Sequence, residues 1–532
     1  MTGILDRPSN AQISQSLQAR SRARLRGLSE AQLLAYLADT VYLERKRFHE
    51  QRRSDPARPD EVARIEDCAR ATRGGRAEQE AALLALVDAY SGEIHNRFSK
   101  RAYRVATTVI PGALSRLLTS TNPRQLLAGE FDPDHRVILE TAAGDDGAAL
   151  RALARRHTLI FAPTHLSNMD SPLIGYALDR LGLPPAIYGA GLNLFSNPVM
   201  GFFMRRLGAY TVDRRKRNRL YKDVLKDYSV DSLGRRCHSL FFPGGTRCRS
   251  GRVEGSVKKG LLGTGLIAWQ EGLRTGRADP EILVVPLALS YSLVLEAETL
   301  IEDSLEEEGR RRYIITDDEF SEPRTVATFA RQLLDLDDAV VLRFGAPMDL
   351  LGNPVDANGT SLGSDGAPID RRAYVTDAEG KVQADEQRDH VYTEILAGRL
   401  VEAWHRDNTV LSTHLASFAA GRLLRQANPG LSTTELVLLP TEERTLRRAE
   451  LLAAIEQLLD QVRRLEAAGR IRARLPRGEG EVEAILNEAI SRFRGFHSRR
   501  VIEGRGDRVV LDPRLLLYYS HRLHRYGLAG EM

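Results

Sequence analysis

Apolar residues at three- and four-residue spacing dominate the start of the chain. AQLLAYLADTVYLERKRF (31–48) and QEAALLALVDAYSGEIHNRF (79–98) carry this period with polar linkers between them, which predicts a helical region over residues 1–110. From about residue 155 the pattern shortens into β-rich runs: TLIFA (158–162), AIYGA (186–190), GAYTV (208–212), SLFF (239–242), ILVVPLALS (282–290) and AVVLRFG (339–345). Between them lie helical patterns, SPLIGYALDRLG (171–182), NRLYKDVLKDYS (218–229), VKKGLLGTGLIAWQEGL (257–273) and EPRTVATFARQLLDL (322–336). Strands alternating with helices predict an α/β core over 111–350, a mainly parallel sheet flanked by helices. Pro286 inside the second-to-last of these runs, at Val284-Val285-Pro286-Leu287, predicts an edge or a bulge there.

Residues 351–388 change texture again. Gly352-Asn353-Pro354-Val355, Asn358-Gly359, Asp365-Gly366 and Glu379-Gly380 are closely spaced turn signals and predict a small hairpin or loop insertion. Helical patterns return over 389–532, chiefly RTLRRAELLAAIEQLLDQVRRLEAAG (444–469). RRVIEGRGDRVVLDP (499–513) reads as a hairpin before a last helix, PRLLLYYSHRLHRYG. Helices followed by a hairpin are also the order of a winged-helix module that binds DNA.

Composition narrows this picture. A chain of 532 residues exceeds one ordinary core, and a net charge of +5 is too small for its size to demand a nucleic-acid partner. Cys68, Cys237 and Cys248 are too scattered for a disulfide framework or a zinc site, which suits a reducing compartment. MTGILDRPSNAQISQS lacks the basic-then-apolar order of a signal peptide. The longest apolar run, 282–295, is shorter than a span and holds a proline, so no transmembrane helix is expected, while peripheral membrane contact stays open.

Four segments could carry chemistry. In Thr164-His165-Leu166-Ser167-Asn168-Met169-Asp170, a histidine precedes an aspartate by five residues, the elements of a base and its orienter. Within one helix such residues lie ~140° apart and cannot cooperate. TLIFAP before them and Ser171-Pro172 after them predict a strand-to-helix loop at the carboxyl edge of the sheet, where they can. The alternative makes Ser167-x-x-Asp170 a capping box and His165 an ordinary loop residue. In Phe242-Pro243-Gly244-Gly245-Thr246-Arg247-Cys248-Arg249-Ser250-Gly251, glycines admit an anion to the backbone and arginines grip it, with Lys258 and Lys259 extending the charge. A solvated arginine-rich turn is the alternative, and the G-x-x-x-x-G-K-(S/T) order of a P-loop is absent. Apolar and aromatic residues in Asn197–Arg206 run into the basic Asp213-Arg214-Arg215-Lys216-Arg217, which suits an anionic membrane surface. A buried helix followed by a solvated charge run is the competing reading. The last segment is Val284–Tyr291, otherwise plain sheet core.

In order and spacing, these segments resemble the four blocks of the glycerolipid acyltransferases, the H-x4-D superfamily. HLSNMD resembles the first block, and GAGLNLFSNPVMGFFMRRLGAYTVDRRKRNRLYKDVL (189–225) the second. FFPGGTRCRSG resembles F-P-E-G-T-R-S-R-(S/T)-G, and VVPLALSY resembles V-P-(V/I)-x-(I/V)-x-Y. The RLGAY…NRLYKDVL run, the KKG after the third block and the LLLYYSHRLHRY ending are similar to the long bacterial glycerol-3-phosphate 1-O-acyltransferases. The resemblance is specific over 160–295, weaker over 389–532 and slight over 1–110.

The resemblance implies that His165 is the general base on the sn-1 hydroxyl of glycerol 3-phosphate and that Asp170 orients it. It implies direct attack on acyl-CoA or acyl carrier protein thioester, with no metal and no further cofactor. Arg247, with Arg249 or Lys259 behind it, would hold the phosphate; Gly245 and Thr246 line the approach, and Asn168 lies beside the pair. The family pattern G-A-F-F-I-R-R falls on Gly208–Arg214 with Asp213 at its first arginine, leaving Arg214 or Arg215 for that role. Gly244 stands where the family has glutamate, which bears on the acceptor more than on the reaction. The implied setting is peripheral, on the cytoplasmic face of the inner cell membrane, with an anionic lipid surface as partner and no nucleic acid. Acylation of 1-acylglycerol 3-phosphate, a non-catalytic lipid-surface scaffold and a nucleic-acid-binding protein are the alternatives.

Overall fold

The computed structural model describes residues 9–51, 58–95, 98–99, 137–192, 206–277, 281–294, 296–309, 340–493, 497 and 499–528. The helix expected over 322–336 and the apolar stretch 197–205 lie outside these residues. Among the described residues the chain opens with helices α1 (Asn10–Arg26), α2 (Glu30–Gln51), α3 (Pro59–Ala71) and α4 (Arg76–Ile94). Ser9 starts α1 with a capping box, its hydroxyl accepting from the Gln12 N–H while the Gln12 side chain accepts from the Ser9 N–H. Ile13, Leu17, Ser21 and Leu25, four residues apart, form its buried stripe. That stripe and its counterparts on α2 and α4 pack on Ile187, Tyr210, Tyr221, Val224 and Tyr228 at one edge of the core domain.

The core consists of β1 (Val137–Thr141), α5 (Ala148–Arg156), β2 (Thr158–Pro163), α6 (Asp170–Arg180), β3 (Ile187–Gly191), β4 (Ala209–Val212), α7 (Arg219–Gly234), β5 (Ser239–Leu240), α8 (Lys259–Arg274), β6 (Ile282–Tyr291), α9 (Ala297–Gly309) and β7 (Val340–Phe344). Among the described residues these strands make one seven-stranded sheet, ordered β1-β7-β6-β2-β5-β3-β4. β6, β2, β5, β3 and β4 run parallel; β7 is antiparallel to β6 and parallel to β1. Every residue of β2 and β6 is buried, which is why both read as unbroken apolar runs. β5 stops after two residues, so Phe241 and Phe242, expected in the strand, begin the loop instead. β1 is not among the expected strands: four of its five residues are only half buried, and its apolar run, Val137-Ile138-Leu139, is only three residues long.

Pro286 lies in a central strand, not at an edge, and a bulge accommodates it. β6 pairs with β2 through Ala162↔Pro286 and with β7 from Leu287↔Phe344 onward. Between that pair and the bridge Val284↔Met348, the partner chain has one residue more than β6. The proline therefore faces the bulged segment, where Pro286 accepts from the Gly345 N–H at 2.8 Å and no donor is required of it.

Residues 351–385 form successive tight excursions joined by the single bridges Val355↔Ser361, Leu362↔Pro368 and Thr376↔Val382. An aspartate opens each turn: Asp356, Asp365 and Asp377 accept backbone N–H groups two residues ahead. Then follow α10 (Glu386–Asp407), β8 (Thr409–Val410), α11 (Ser412–Ala427), α12 (Thr433–Val437), β9 (Thr445–Arg447), α13 (Arg448–Ala467), β10 (Arg472–Ala473), α14 (Glu481–Arg492), β11 (Ile502–Arg505), β12 (Arg508–Leu511) and α15 (Pro513–Ser520). Small residues in STHLASFAAG allow α11 to be buried along its first ten residues, and one apolar cluster runs from the sheet through α11, α13, α14 and α15. β9 joins the β11–β12 hairpin, giving a winged-helix order of elements. The helix before the hairpin, α14, carries Glu481, Glu483 and Glu488, and this acidic surface would repel nucleic-acid phosphates. No described helix is long and apolar enough to cross a membrane.

The N-terminal helices divide the basic run after β4. Lys216 is not a surface cation: its side chain is 2% exposed, 2.5 Å from Glu93 and 3.1 Å from Glu61, and lies over the Tyr90 ring. Asn218 donates to Glu44 at 2.7 Å, and Arg215 pairs with Asp213 at 2.9 Å. Arg214, Arg217 and Arg219 remain exposed. Lys216→Ala is therefore expected to lower unfolding stability by about 3 kcal/mol, because two enclosed carboxylates lose their cation. Arg217→Ala should cost less than about 0.5 kcal/mol. Urea unfolding of the full chain compares the two, and equal losses would refute the buried role.

Candidate active site

β2 stays zipped to β6 one residue past its end: the Thr164 N–H donates to Leu287, and the Leu289 N–H donates to the Thr164 hydroxyl at 3.1 Å. The chain leaves the sheet at His165 and turns until Asp170, where α6 begins. The helix starts at Asp170, with Met169 as its boundary and Ser171-Pro172 inside the first turn. Proline costs nothing there, since first-turn N–H groups have no partner within the helix.

The Asp170 side chain is fully buried. One oxygen accepts from His165 Nδ1 at 2.8 Å, from the Leu166 N–H at 2.7 Å and from the Ser167 N–H at 3.0 Å. The Tyr291 hydroxyl, at the end of β6, donates to the other. The Ser167-x-x-Asp170 capping box does not form, since α6 starts after Met169 with no side-chain cap; the Asp170 carboxylate instead accepts the loop amides and holds the imidazole. With Nδ1 donating to Asp170, Nε2 is left as the nitrogen that can take a proton. The His165 side chain is 14% exposed, and its ring stacks on Phe242 at 4.0 Å. Phe242 reaches it only because β5 ends early.

The loop after β5 grips the His165 backbone from both sides. The Cys248 N–H donates to the His165 carbonyl at 2.7 Å, and the His165 N–H donates to Glu254 Oε1 at 2.6 Å. Burial pushes the Glu254 carboxyl up to about 7, against the pull of the His165 N–H. Gly251, at φ +76°, lets the loop pass against the end of α15: a Cβ there would lie 2.1 Å from the Tyr518 carbonyl. His521 contacts the Ser250 carbonyl at 2.7 Å from the same side.

A third carboxylate, Glu296, completes the surround. It accepts from the Ser167 hydroxyl at 2.8 Å, the Asn168 N–H at 2.9 Å and Arg247 at 3.1 Å. Burial raises its pKa, while Arg247 opposes the rise. Arg247 is thus held beside the histidine loop. Partial withdrawal from water and then the like charge of Arg247 lower the pKa of Arg214. The Lys258 side chain lies over Gly245. Lys259 pairs instead with Glu394 on α10, and Arg215 is held by Asp213. Thr246 is exposed and Arg249 half-buried on the same loop. Among the residues that sequence reasoning did not assign, Tyr291 ends a quoted segment, whereas Glu254 and Glu296 carry no local signal.

The arrangement supplies a base backed by a buried carboxylate, beside guanidinium groups able to hold an anion. A family profile described as Acyltransferase matches residues 149–290. The glycerol-3-phosphate acyltransferase of Haemophilus ducreyi (strain 35000HP / ATCC 700724) is 37% identical over 144 residues, 27% of this chain and 17% of that protein. That of Actinobacillus pleuropneumoniae serotype 5b (strain L20) is 35% identical over 156 residues, 29% of this chain and 18% of its own length. The matched stretch thus spans about one sixth of these curated relatives. A crystal structure of the 1-acyl-sn-glycerophosphate (LPA) acyltransferase from Thermotoga maritima aligns with 60% of this chain and 94% of its own, at 16% identity and a TM-score of 0.26, too loosely to carry an argument.

Removing Glu296 tests this surround. Glu296→Ala should destabilise the chain by about 3 kcal/mol, because Arg247 and two loop donors lose their acceptor. The Asn168 amide should exchange hydrogen at least ~10-fold faster, each tenfold being about 1.4 kcal/mol of local opening. Unchanged protection of Asn168 would refute the contact's role.

Proposed function

The chain carries an acyltransferase domain over residues 149–290, and we propose that it moves a fatty acyl group from acyl-CoA or acyl carrier protein to the sn-1 hydroxyl of glycerol 3-phosphate. The observation that carries this reading is the buried Asp170–His165 pair beside Arg247. His165 Nε2 takes the proton of the acceptor hydroxyl as its oxygen attacks the thioester carbonyl. Asp170, fixed by three further donors, stabilises the imidazolium without moving. The tetrahedral intermediate collapses, the C–S bond breaks, and the imidazolium returns its proton to the departing thiolate. The histidine ends unchanged, so no acyl-enzyme is required.

Arg247, with Arg214 and Arg249, serves as the phosphate clamp; Gly245, Thr246 and Asn168 border it. Arg247, Arg215 and Lys259 are each paired with a carboxylate, that of Glu296, Asp213 and Glu394 respectively. The exposed Arg214, Arg217 and Arg219 follow the apolar sequence 199–204 and suit attachment to the anionic cytoplasmic face of the cell membrane. Gly244 favours one second reading, in which 1-acylglycerol 3-phosphate is the acceptor.

His165→Ala should lower turnover by at least ~10²-fold without unfolding the chain, measured as acyl transfer from acyl-CoA; retained turnover would overturn the mechanism. Arg247→Ala should act mainly on the KM for the phosphorylated acceptor. Assaying glycerol 3-phosphate, 1-acylglycerol 3-phosphate and unphosphorylated glycerol at one donor concentration identifies the acceptor.

A further inference from the structure

Gly244 leaves the loop after β5 without the carboxylate that the resembling family carries there, yet a carboxylate occupies the adjoining space. The Lys258 N–H donates to the Pro243 carbonyl at 2.8 Å, closing the loop from 243 to 258 on itself and folding residue 254 back over residue 244. A Cβ on Gly244 would lie 3.2 Å from Glu254 Cγ and 3.4 Å from Oε1. That same oxygen receives the His165 N–H at 2.6 Å. The other, Oε2, is buried and has no hydrogen-bond partner among the described residues. We infer that Glu254 is a positioning residue that supplies, from across the loop, the carboxylate missing at Gly244 and uses it to fix the backbone of His165. The two positions form one arrangement: glutamate at 254 needs the space that glycine at 244 leaves.

This rests on the reading of His165 as the base, and its physical consequence is specific. Without an acceptor at Oε1 the His165 amide is buried and unsatisfied, so the strand-to-loop junction shifts and carries the imidazole with it. An error of ~1 Å in the base is enough to cost on the order of 10²-fold in turnover. Glutamine keeps an acceptor oxygen at the same place, whereas alanine does not. A glutamate introduced at 244 crowds Glu254 when both are present and replaces it when residue 254 is alanine.

The experiment compares full-length wild type with Glu254→Ala, Glu254→Gln, Gly244→Glu and the double variant Gly244→Glu/Glu254→Ala. Acyl transfer from acyl-CoA to glycerol 3-phosphate and hydrogen exchange at the His165 amide are both measured. Glu254→Ala is expected to lower kcat by ~30-fold with the acceptor KM within ~3-fold, and to speed His165 amide exchange by at least ~10-fold. Glu254→Gln should recover most of both losses. Gly244→Glu alone should also lose turnover, while the double variant should exceed Glu254→Ala by ~5-fold or more, a non-additivity that independent sites do not show. Wild-type kcat in Glu254→Ala, or a double variant no better than Glu254→Ala, would overturn the proposal. If wild type turns over none of the acceptors, the acyl-transfer reading fails, and the exchange arm still decides: unchanged His165 protection in Glu254→Ala rejects the positioning role.

Discussion

The Asp170 carboxylate is the group on which the site depends, because burying it is tolerable only if every donor around it stays in place. A carboxylate withdrawn from water without partners costs several kcal/mol or takes up a proton. Here four donors surround it: the His165 ring, the Leu166 and Ser167 amides, and the Tyr291 hydroxyl. The first three come from the loop after β2, the fourth from the end of β6. The pairing of β2 with β6, in register from Thr158↔Ile282 to Pro163↔Leu287, is what brings them to one point. The sheet is thus more than a scaffold beneath the loop, since its register decides whether Asp170 is solvated by protein at all.

Around that centre the charges are sorted by depth. Asp170, Glu254 and Glu296 occupy the protein side of the His165 loop and accept from backbone amides, hydroxyls and one guanidinium. Arg214 and Arg247 lie near enough for their like charges to interact, and the Lys258 side chain lies over Gly245. The terminal regions maintain this separation from opposite ends. The N-terminal helices neutralise Lys216 within Glu61 and Glu93, which leaves Arg214 exposed on the same short run. The C-terminal α15 presses the Tyr518 carbonyl against Gly251 and so anchors the loop that holds Arg247 and Glu254.

What could be read from the chain alone was whatever depends on neighbours in sequence. The runs TLIFAP and ILVVPLALSY became fully buried strands because two-sided burial demands apolar residues at every position. The five-residue spacing of His165 and Asp170 was legible because the strand-to-helix turn is local. Tertiary contacts were not. Lys216 resembles a surface cation until two helices from outside its own run, α3 and α4, close over it. Phe242 continues an apolar strand in sequence, yet in space it leaves the sheet to stack on His165. β1 is missed for the opposite reason: a half-exposed edge strand needs only a short apolar run, here Val137-Ile138-Leu139.

Gly244 carries that distinction furthest. Along the chain it is a lost charge, and a motif compared position by position reads it as damage to the site. In space, the atoms off its α-carbon are those of another carboxyl group, Glu254, already bonded to the backbone of His165, the proposed base. A histidine at the end of a buried strand needs an acceptor for its amide, and the physical requirement is an oxygen at hydrogen-bonding distance, not a side chain rooted at one position. A loop closed between Pro243 and Lys258 can meet it from either of its limbs, provided the opposite limb carries no side chain. Glycine at 244 is then the condition that lets the acceptor arrive from the other side, and the constraint the motif expresses is kept while its letter is not.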